Sequence, residues 1–493
     1  MSSSSNNSLF NVLSKALFTT AIIGLIAYVF YRAYWLSFTY DECLSYTVLQ
    51  GNEHIEKTAN NHFLNTVFMF ITNTLWGSSE FSLRLPNMLA FLIYLLFSVL
   101  LLRPARKKWI FFWLGFSLLL FNVFLLDFFS LARGYGLGMA FMLGSFYFIV
   151  KPIPPANLVP TAFNKALNKD ILYSVLFAFV ATLANLSMIN FLITVLLIGS
   201  IKHWWYATAK LLVWQYVLLG TIALAMLGVN MNTLLFLKDA GELYHGTDNL
   251  NQTFTSVIYH CFYFSPYDDI AEFIFKIVCL GFWILGTALV VITKGRSTQL
   301  LISAAVFIIL LLGVISEYIL FGAKYPADRT ALVFIITGSL FIYYTLLTLR
   351  DYGRIGRGMA TSMALVLSIL VSYHFSVNAN LEYCQVWKYD YGGKRMMQHI
   401  QQLTINHPEE HVTISNDWHF IPSILYYTEK YKLNLAYPSG ESPDNQTTFI
   451  YTWNSDAPKP NYTAIERFDA HGNTLFIRND KIDLFYPIRR IHR

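Results

Sequence analysis

Two adjacent acids, Asp41 and Glu42, are the residues of this chain best suited to chemistry, and they follow its first long apolar segment. A carboxylate within hydrogen-bonding reach of a hydroxyl can accept its proton as the oxygen attacks an electrophile. Acids at the edge of a membrane are costly to place, so they suggest a function. The alternative is a solvated pair just outside the bilayer. We expect the pair to be catalytic, with Asp41 as the general base.

Cations that could bind an anionic leaving group occur later in the chain. Other residues are candidates for contact with the substrate. Arg133 opens a predicted helix, where its charge is unfavourable beside the positive end of the helix dipole unless an anion neutralises it. The alternative to an anion-binding role is an interfacial arginine. Arg329 is the second candidate cation, and its alternative role is a local ion pair with Asp328. The remaining candidates for substrate contact are His62, Arg84, Asp127, Tyr135, Tyr325 and Asp328.

Composition identifies the class of protein that must position these residues. The 493-residue chain is 55% hydrophobic and only 13% charged, which is too apolar for an ordinary soluble domain. Runs long enough to cross a bilayer predict a polytopic α-helical membrane protein with about eleven transmembrane helices. The runs lie near 16–36, 83–102, 109–126, 132–150, 171–188, 190–201, 211–229, 271–293, 299–321, 330–348 and 358–377.

Basic residues concentrate in every second loop, which by the positive-inside rule makes those loops cytoplasmic. The N-terminus is therefore expected inside, and the acids and arginines above are expected together at the outer face. This asymmetry accounts for the net charge of +6 without a nucleic-acid partner. The lipid bilayer is the partner that the composition does imply.

The same pattern divides the chain into segments. We expect a disordered leader at 1–15, a membrane domain at 16–377 and a small α/β domain at 378–493 on the outer side. Within the membrane domain, 37–82 forms a first outer loop with interfacial helices, and 230–270 forms a second outer loop. The segments near 171–201 are read either as two crossings or as one broken element.

Several of these features together resemble a known superfamily. They are the acidic pair after the first span, the segment Ser79-Glu80-Phe-Ser-Leu-Arg84-Leu-Pro86-Asn87, and Leu-Ala-Arg133-Gly-Tyr135 before the fourth span. In order and topology, residues 16–350 resemble the GT-C integral-membrane glycosyltransferases. The branch they resemble contains protein O-mannosyltransferases, aminoarabinose transferases and bacterial polyprenyl-phosphate-sugar transferases.

The resemblance implies a role for each matching residue. Asp41 corresponds to the first-loop aspartate that acts as base or organises the acceptor, with Glu42 as its acidic neighbour. Arg133 and Tyr135 match an Ala-Arg-x-Tyr element near a second acidic region at Asp127. Arg329 falls where a late outer loop supplies a cation to the donor phosphate. His62 matches the basic position of a His-Pro-Pro element, although both prolines are absent here.

The expected reaction moves a sugar from a polyprenyl-phosphate donor to a hydroxyl or phosphate of a glycan, lipid or protein, with inversion at carbon. The resemblance places such an enzyme in the bacterial inner membrane with its site extracytoplasmic. Asp41 and Glu42 are also suitable ligands for a divalent cation, and metal dependence is left open.

Two other functions fit some of the same residues. A transporter or flippase of a lipid-linked sugar would also carry charges at membrane depth, but it usually has internal repeats and polar groups near the midplane. A non-catalytic glycolipid-binding paralogue would retain Arg133 and tolerate the loss of Asp41.

Overall fold

The computed structural model describes residues 2–152, 160–206, 213–264, 269–436, 447–453, 460–468 and 472–485. Most of this length is helical, and one five-stranded sheet lies near the C-terminus. The helices are α1 Ser2–Trp35, α2 Tyr40–Leu49, α3 Glu53–Glu56, α4 Phe63–Trp76, α5 Glu80–Leu102, α6 Trp109–Leu120, α7 Val123–Asp127, α8 Gly134–Val150, α9 Pro160–Ala184, α10 Ile189–Tyr206, α11 Val213–Asp239, α12 Leu250–Cys261, α13 Asp269–Ile292, α14 Thr298–Phe321, α15 Leu332–Arg350, α16 Gly353–Asn378, α17 Gly393–Thr404, α18 Ile421–Tyr431 and α19 Ile482–Phe485.

The helices confirm the class of membrane protein. Within the described ranges, nine helices are long and apolar enough to cross a bilayer, and α6 and α8 are shorter apolar helices. Those two lie where the sequence predicts the third and fourth crossings. The count of about eleven crossings and the inside position of the N-terminus stay predictions.

The chain divides into two compact units that do not follow the expected boundary at 377/378. The first unit contains 1–29, 57–68 and 86–379, and the second contains 30–56, 69–85 and 380–493. The tail therefore forms one unit with the end of α1, all of α2 and the start of α5. The cause is a set of hydrogen bonds and ion pairs, described below, between residues far apart in the sequence.

Small residues bring helices together in the first unit. Ser145 on α8 and Ser174 on α9 each donate a hydroxyl hydrogen to the other's carbonyl oxygen, at 2.7 and 2.9 Å. Gly144 lies against Phe97 and Phe177, where an added Cβ would overlap both rings. Small side chains allow such close approach, and hydroxyls bonded across a helix pair stabilise it within an apolar layer.

The second unit contains the sheet, whose strands are β1 Val412–Asn416, β2 Leu435–Ala436, β3 Phe449–Thr452, β4 Tyr462–Phe468 and β5 Asn473–Arg478. The strand order is β2-β1-β3-β5-β4. β1 is parallel to β2 and β3, while β5 is antiparallel to β3 and β4. The α/β class expected for the tail is confirmed.

Two local expectations differ from the structure, and the structure decides between the two alternatives for a third segment. α1 already begins at Ser2, so the described part of the expected 1–15 leader is helical. α11 continues to Asp239, and α12 lies inside the expected 230–270 loop. The segment 171–201 forms two helices, α9 and α10, separated by the short 3-10 turn Leu186–Met188. The Asn185 side chain caps that turn by accepting a hydrogen bond from the Ser187 amide, which explains the break.

Candidate active site

In the second unit, the acidic pair begins a helix rather than ending one. Thr39 is the N-cap of α2, and its backbone amide donates to the Glu42 carboxylate at 2.9 Å, which completes a capping box. Asp41 lies in the first turn and is only 6% exposed. A carboxylate at this position interacts favourably with the positive end of the helix dipole.

Glu42 and Arg84 form a fully buried ion pair in the same unit. Arg84 donates from Nε to Glu42 Oε1 and from Nη2 to Oε2, both at 2.7 Å. Its remaining N–H groups point to three carbonyl oxygens between 2.7 and 3.0 Å away, which belong to Ala33, Leu36 and Ser37. A guanidinium has five N–H donors, and these bonds use all five.

These contacts change the expected roles of both residues. Arg84 has every donor engaged within the protein, which is inconsistent with the predicted substrate contact. Glu42 holds Arg84 and caps α2, so its contacts are those of a residue that positions Asp41. The charged pair joins the end of α1 and α2 to α5 through protein contacts alone.

Glu80, the acid of the Glu80–Asn87 segment, also binds other residues of the protein. It forms ion pairs with Lys430 and with Lys394, the latter at 3.3 Å, and accepts a hydrogen bond from the Tyr427 hydroxyl at 3.2 Å. All three partners belong to the C-terminal tail. The most specific motif of the resemblance thus tethers the tail to the start of α5.

A third buried acid lies near the pair in the second unit. Asp390, from the tail, accepts a hydrogen bond from the Tyr40 backbone amide at 2.7 Å and is 1% exposed. Its other oxygen, Oδ1, is buried without a hydrogen-bond partner among the described residues. Burial raises the pKa of this carboxyl well above its usual range, and the charges of Asp41 and Glu42 raise it further. The environment of Asp390 therefore favours its protonated, neutral form.

In the first unit, the structure brings together His62, Arg133, Tyr135 and Arg329, which we call the arginine cluster. Arg329 donates from Nε to the Tyr135 hydroxyl at 3.0 Å. The guanidinium carbon of Arg133 lies 5.9 Å from the centre of the Tyr135 ring, within cation–π range. The His62 ring packs edge-on against the same tyrosine at 4.7 Å. Four predicted site residues thus meet around one aromatic ring.

Arg133 is fully buried, which excludes the alternative of an interfacial arginine extending to solvent. It is the N-cap of α8 with extended backbone angles, as the sequence predicts for a residue that opens a helix. Its Nη2 donates to Asn60 Oδ1 at 2.5 Å. A buried cation at the positive end of a helix is a suitable place for a negatively charged ligand.

Glycine and asparagine residues hold the start of α8 in place. A Cβ at Gly134 would overlap the Ala184 carbonyl oxygen and the His62 side chain. Asn87 on α5 donates to Asn65 on α4 at 2.8 Å, and Asn65 donates to the Ala132 carbonyl at 2.9 Å. Both asparagines are fully buried. This chain of bonds fixes the backbone that carries Arg133.

His62 has the electrostatic environment expected beside an anion site. It is 5% exposed, and its Nε2 has no hydrogen-bond partner among the described residues. Burial lowers the pKa of the imidazole well below its ordinary value, and the charges of Arg133 and Arg329 lower it further. The ring is therefore neutral at neutral pH, with one buried nitrogen available for a ligand.

Asp328 supports Arg329 from the preceding position. Its backbone is left-handed, with φ of 58°, and its amide donates to Ser256 Oγ at 2.8 Å. Its carboxylate pairs with His260 Nε2, while His260 Nδ1 donates to the Ser256 carbonyl at 2.7 Å. A strained backbone conformation held by several contacts is common at functional sites. The sequence analysis missed His260, because no local pattern singles it out.

Asp127 and Tyr325 have contacts elsewhere in the first unit. Asp127, at the end of α7, is fully buried and accepts a hydrogen bond from the Tyr263 hydroxyl at 3.1 Å. Tyr325 stacks on Tyr318 with ring centres 4.6 Å apart, and its backbone pairs with Thr247. Their substrate contact stays a prediction.

A cation site at the acidic pair also stays a prediction. Among the residues that the structure describes, no group of three or more His, Cys, Asp or Glu side chains is arranged to hold a metal ion.

Sequence reasoning missed three supporting residues besides His260. The Thr39-x-x-Glu42 spacing is a capping-box signature and could have revealed the structural role of Glu42. No local pattern distinguishes Asn65 from the other polar residues of α4. Asn60 and Asp390 carried no signal, since their partners are distant in the chain.

No protein-family model matches this chain, and no curated protein matches it. Two crystal structures of ArnT from Cupriavidus metallidurans are similar to it. The apo structure has a TM-score of 0.51 and 11% sequence identity, and covers 96% of this chain and 98% of ArnT. The structure bound to undecaprenyl phosphate has a TM-score of 0.51 and 10% sequence identity. The match covers 93% of this chain and 97% of ArnT. The chain therefore has the fold of ArnT, and the predicted class of a polytopic α-helical membrane protein with a small C-terminal α/β domain is confirmed.

Proposed function

We propose that this protein is a membrane glycosyltransferase that moves a sugar from a polyprenyl-phosphate donor to a hydroxyl or phosphate of an acceptor. The arginine cluster is the observation that carries the proposal. It combines a fully buried arginine, a second arginine and a neutral histidine with a free buried nitrogen. Such a set suits a phosphate that gains charge as it leaves, because oriented cations stabilise that charge most strongly away from water.

The likeness to ArnT supports the lipid part of the donor. One of the similar crystal structures contains undecaprenyl phosphate, a polyprenyl phosphate, bound to ArnT. A donor of this class keeps its chain in the bilayer and presents its phosphate at the surface. The apolar helices of the first unit suit such a chain.

We assign the proton transfer to Asp41. As the acceptor oxygen bonds to the anomeric carbon, the bond from that carbon to the phosphate oxygen breaks, and its electron pair leaves with the phosphate. The proton of an acceptor hydroxyl passes to the Asp41 carboxylate, and a single displacement inverts the carbon. An acceptor phosphate is already ionised, so it would need Asp41 far less. We further propose that the reaction occurs at the outer face of a bacterial inner membrane.

The test uses purified full-length protein in lipid nanodiscs with a panel of undecaprenyl-phosphate sugars and acceptors. The measurement is release of undecaprenyl phosphate by wild type and by Asp41→Asn. We expect a loss on the order of 10² or more in the variant if the acceptor is a hydroxyl. Asp480→Asn, a matched change at an exposed acid, should leave turnover unchanged.

Two results would contradict the proposal. Equal turnover in wild type and Asp41→Asn with a hydroxyl acceptor would remove Asp41 from its role. Movement of the intact lipid-linked sugar across liposomes, without release of undecaprenyl phosphate for any donor in the panel, would favour a flippase.

A further inference from the structure

The first unit contains a cavity of about 590 Å³ among loops that the sequence predicts to be cytoplasmic. It is lined by the segment after α5, the end of α13, the start of α14 and the end of α15. The sequence analysis used the basic residues of these loops only to orient the chain. In the structure three of them, Lys108, Lys294 and Arg296, line this cavity.

The charges of the lining do not cancel. Asp351 is the acid of the lining, and it is shared between Lys108 at 3.5 Å and Arg350 at 2.6 Å. Lys294 and Arg296 project from the turn that follows α13. That turn is tightly wound, since Lys294 has a φ of 49° and Gly295 a φ of 67°. A non-glycine residue with positive φ is uncommon, so the turn holds both cations in a defined place.

The cavity also offers neutral hydrogen-bonding groups. Tyr344 lines it and is 3% exposed, and its hydroxyl is buried without a partner among the described residues. Ser297 is the N-cap of α14 but makes no side-chain capping bond, and its hydroxyl lies 2.9 Å from that of Thr348. The start of α14 lines the cavity, so the positive end of its helix dipole contributes to the same lining. Tyr344 thus adds a buried hydroxyl donor to the lining of a cavity that three cations also line.

We propose that this cavity binds the phosphate headgroup of an anionic phospholipid. Its volume lies in the range of small-molecule sites and exceeds what a bare phosphate needs. Ile292 and Leu347 belong to the lining, and Ile292 is half exposed at the end of an apolar helix, so acyl chains can continue along that surface. Basic pockets between transmembrane helices on the cytoplasmic side are suited to such headgroups.

The test is binding to the full-length protein in detergent, followed as the rise in unfolding temperature with ligand concentration. The probes are short-chain phosphatidylglycerol, short-chain phosphatidylcholine and inorganic phosphate. We expect saturable stabilisation by phosphatidylglycerol only. The double variant Lys294→Gln/Arg296→Gln should weaken that binding by about tenfold or more, since each cation near an anionic lipid contributes on the order of 1 kcal/mol.

A matched control distinguishes binding in the cavity from non-specific attraction to positive charge. Arg354→Gln/Arg357→Gln removes the same charge from exposed positions of a neighbouring predicted cytoplasmic segment that do not line the cavity. It should bind phosphatidylglycerol as wild type does. Tyr344→Phe removes only the hydroxyl and should weaken binding by a few-fold.

Three outcomes would overturn the proposal. They are equal stabilisation by phosphatidylcholine, full effect from inorganic phosphate at the same concentration, and equal losses in the two double variants. The first would indicate general lipid binding, the second a soluble anion and the third non-specific electrostatics. None of these measurements depends on transferase activity.

Discussion

Glu42 and Arg84 form a bidentate ion pair in which neither side chain is exposed and both charged contacts are 2.7 Å long. Three carbonyl oxygens also accept hydrogen bonds from Arg84, and the Thr39 amide and hydroxyl both donate to Glu42. A buried pair with its remaining groups satisfied tolerates removal of neither partner, because the other charge is left uncompensated. The pair is therefore the anchor of the helix that carries Asp41.

Arg84→Gln and Glu42→Gln should each destabilise the protein strongly. Breaking a buried ion pair costs about 3–5 kcal/mol, and the measurement is unfolding of the purified protein by heat or denaturant. Asp480→Asn breaks an exposed pair with Arg478 and should change stability by less than about 1 kcal/mol. If Glu42→Gln kept wild-type stability but lost turnover, Glu42 would be a catalytic residue instead.

Arg133→Lys and Arg329→Lys should weaken binding of undecaprenyl phosphate by about tenfold or more each. Lysine keeps the charge but loses the planar set of donors that binds two phosphate oxygens at once. The measurement is equilibrium binding to the full-length protein, with unfolding temperature recorded in parallel. Arg357→Lys, at an exposed position of α16, is the control that should bind normally. Unchanged affinity in both cluster variants would argue against a phosphate site there.

Gly134→Ala should displace the start of α8. The new methyl group would overlap the Ala184 carbonyl and the His62 side chain, and overpacking of this kind costs about 1–3 kcal/mol. Undecaprenyl phosphate affinity should fall together with stability. Gly358→Ala on α16 meets nothing within 4 Å and should be neutral or slightly stabilising. A Gly134→Ala protein that binds and unfolds as wild type would show that the close approach is dispensable.

His62 should make the protein sensitive to acid. Its pKa is lowered in the folded state by burial and by Arg133 and Arg329, so the unfolded chain binds the proton more readily. This contribution to stability is complete above the unfolded pKa of about 6.5 and is lost as pH falls below it toward the folded pKa. Between pH 7 and pH 5, wild type should lose a few °C more of its unfolding temperature than His62→Gln does. His411→Gln, at an exposed position, should behave as wild type, and an identical pH dependence of His62→Gln and wild type would disprove the assignment.

Asp390 should make the stability of the protein depend on pH in the direction opposite to that of His62. Its pKa is raised in the folded state, so stability is greatest at low pH and decreases as pH rises from about 3.8 toward the folded pKa. Asp390→Asn removes that cost while keeping an oxygen for the Tyr40 amide. It should therefore unfold a few °C higher at pH 7 and retain turnover.

Asp390→Ala removes the acceptor of the Tyr40 amide and is the companion variant. Loss of this buried hydrogen bond at the start of α2 should cost about 1–3 kcal/mol and lower turnover by roughly tenfold, as Asp41 shifts. A large loss of turnover in Asp390→Asn, with stability retained, would mean that Asp390 acts in its charged form.

Local and periodic features were predicted well from the sequence. Long apolar runs indicated the membrane helices, and the α/β class of the tail was also predicted. The helical start at Arg133 followed from its position before an apolar run. These properties depend on neighbours within a few residues, so one chain is enough to reveal them.

The sequence by itself determined the class of protein, the identity of the arginines and acids, and the segment in which each occurs. Only the tertiary structure decided their partners. Glu42 and Arg84 both looked available for substrate, yet they bind each other across 42 positions, while Arg329 reaches Tyr135 across 194. Asp390 meets the Tyr40 amide from 350 residues away. Such contacts form because a buried charge or donor is costly without a partner, and local sequence does not specify which distant group supplies it.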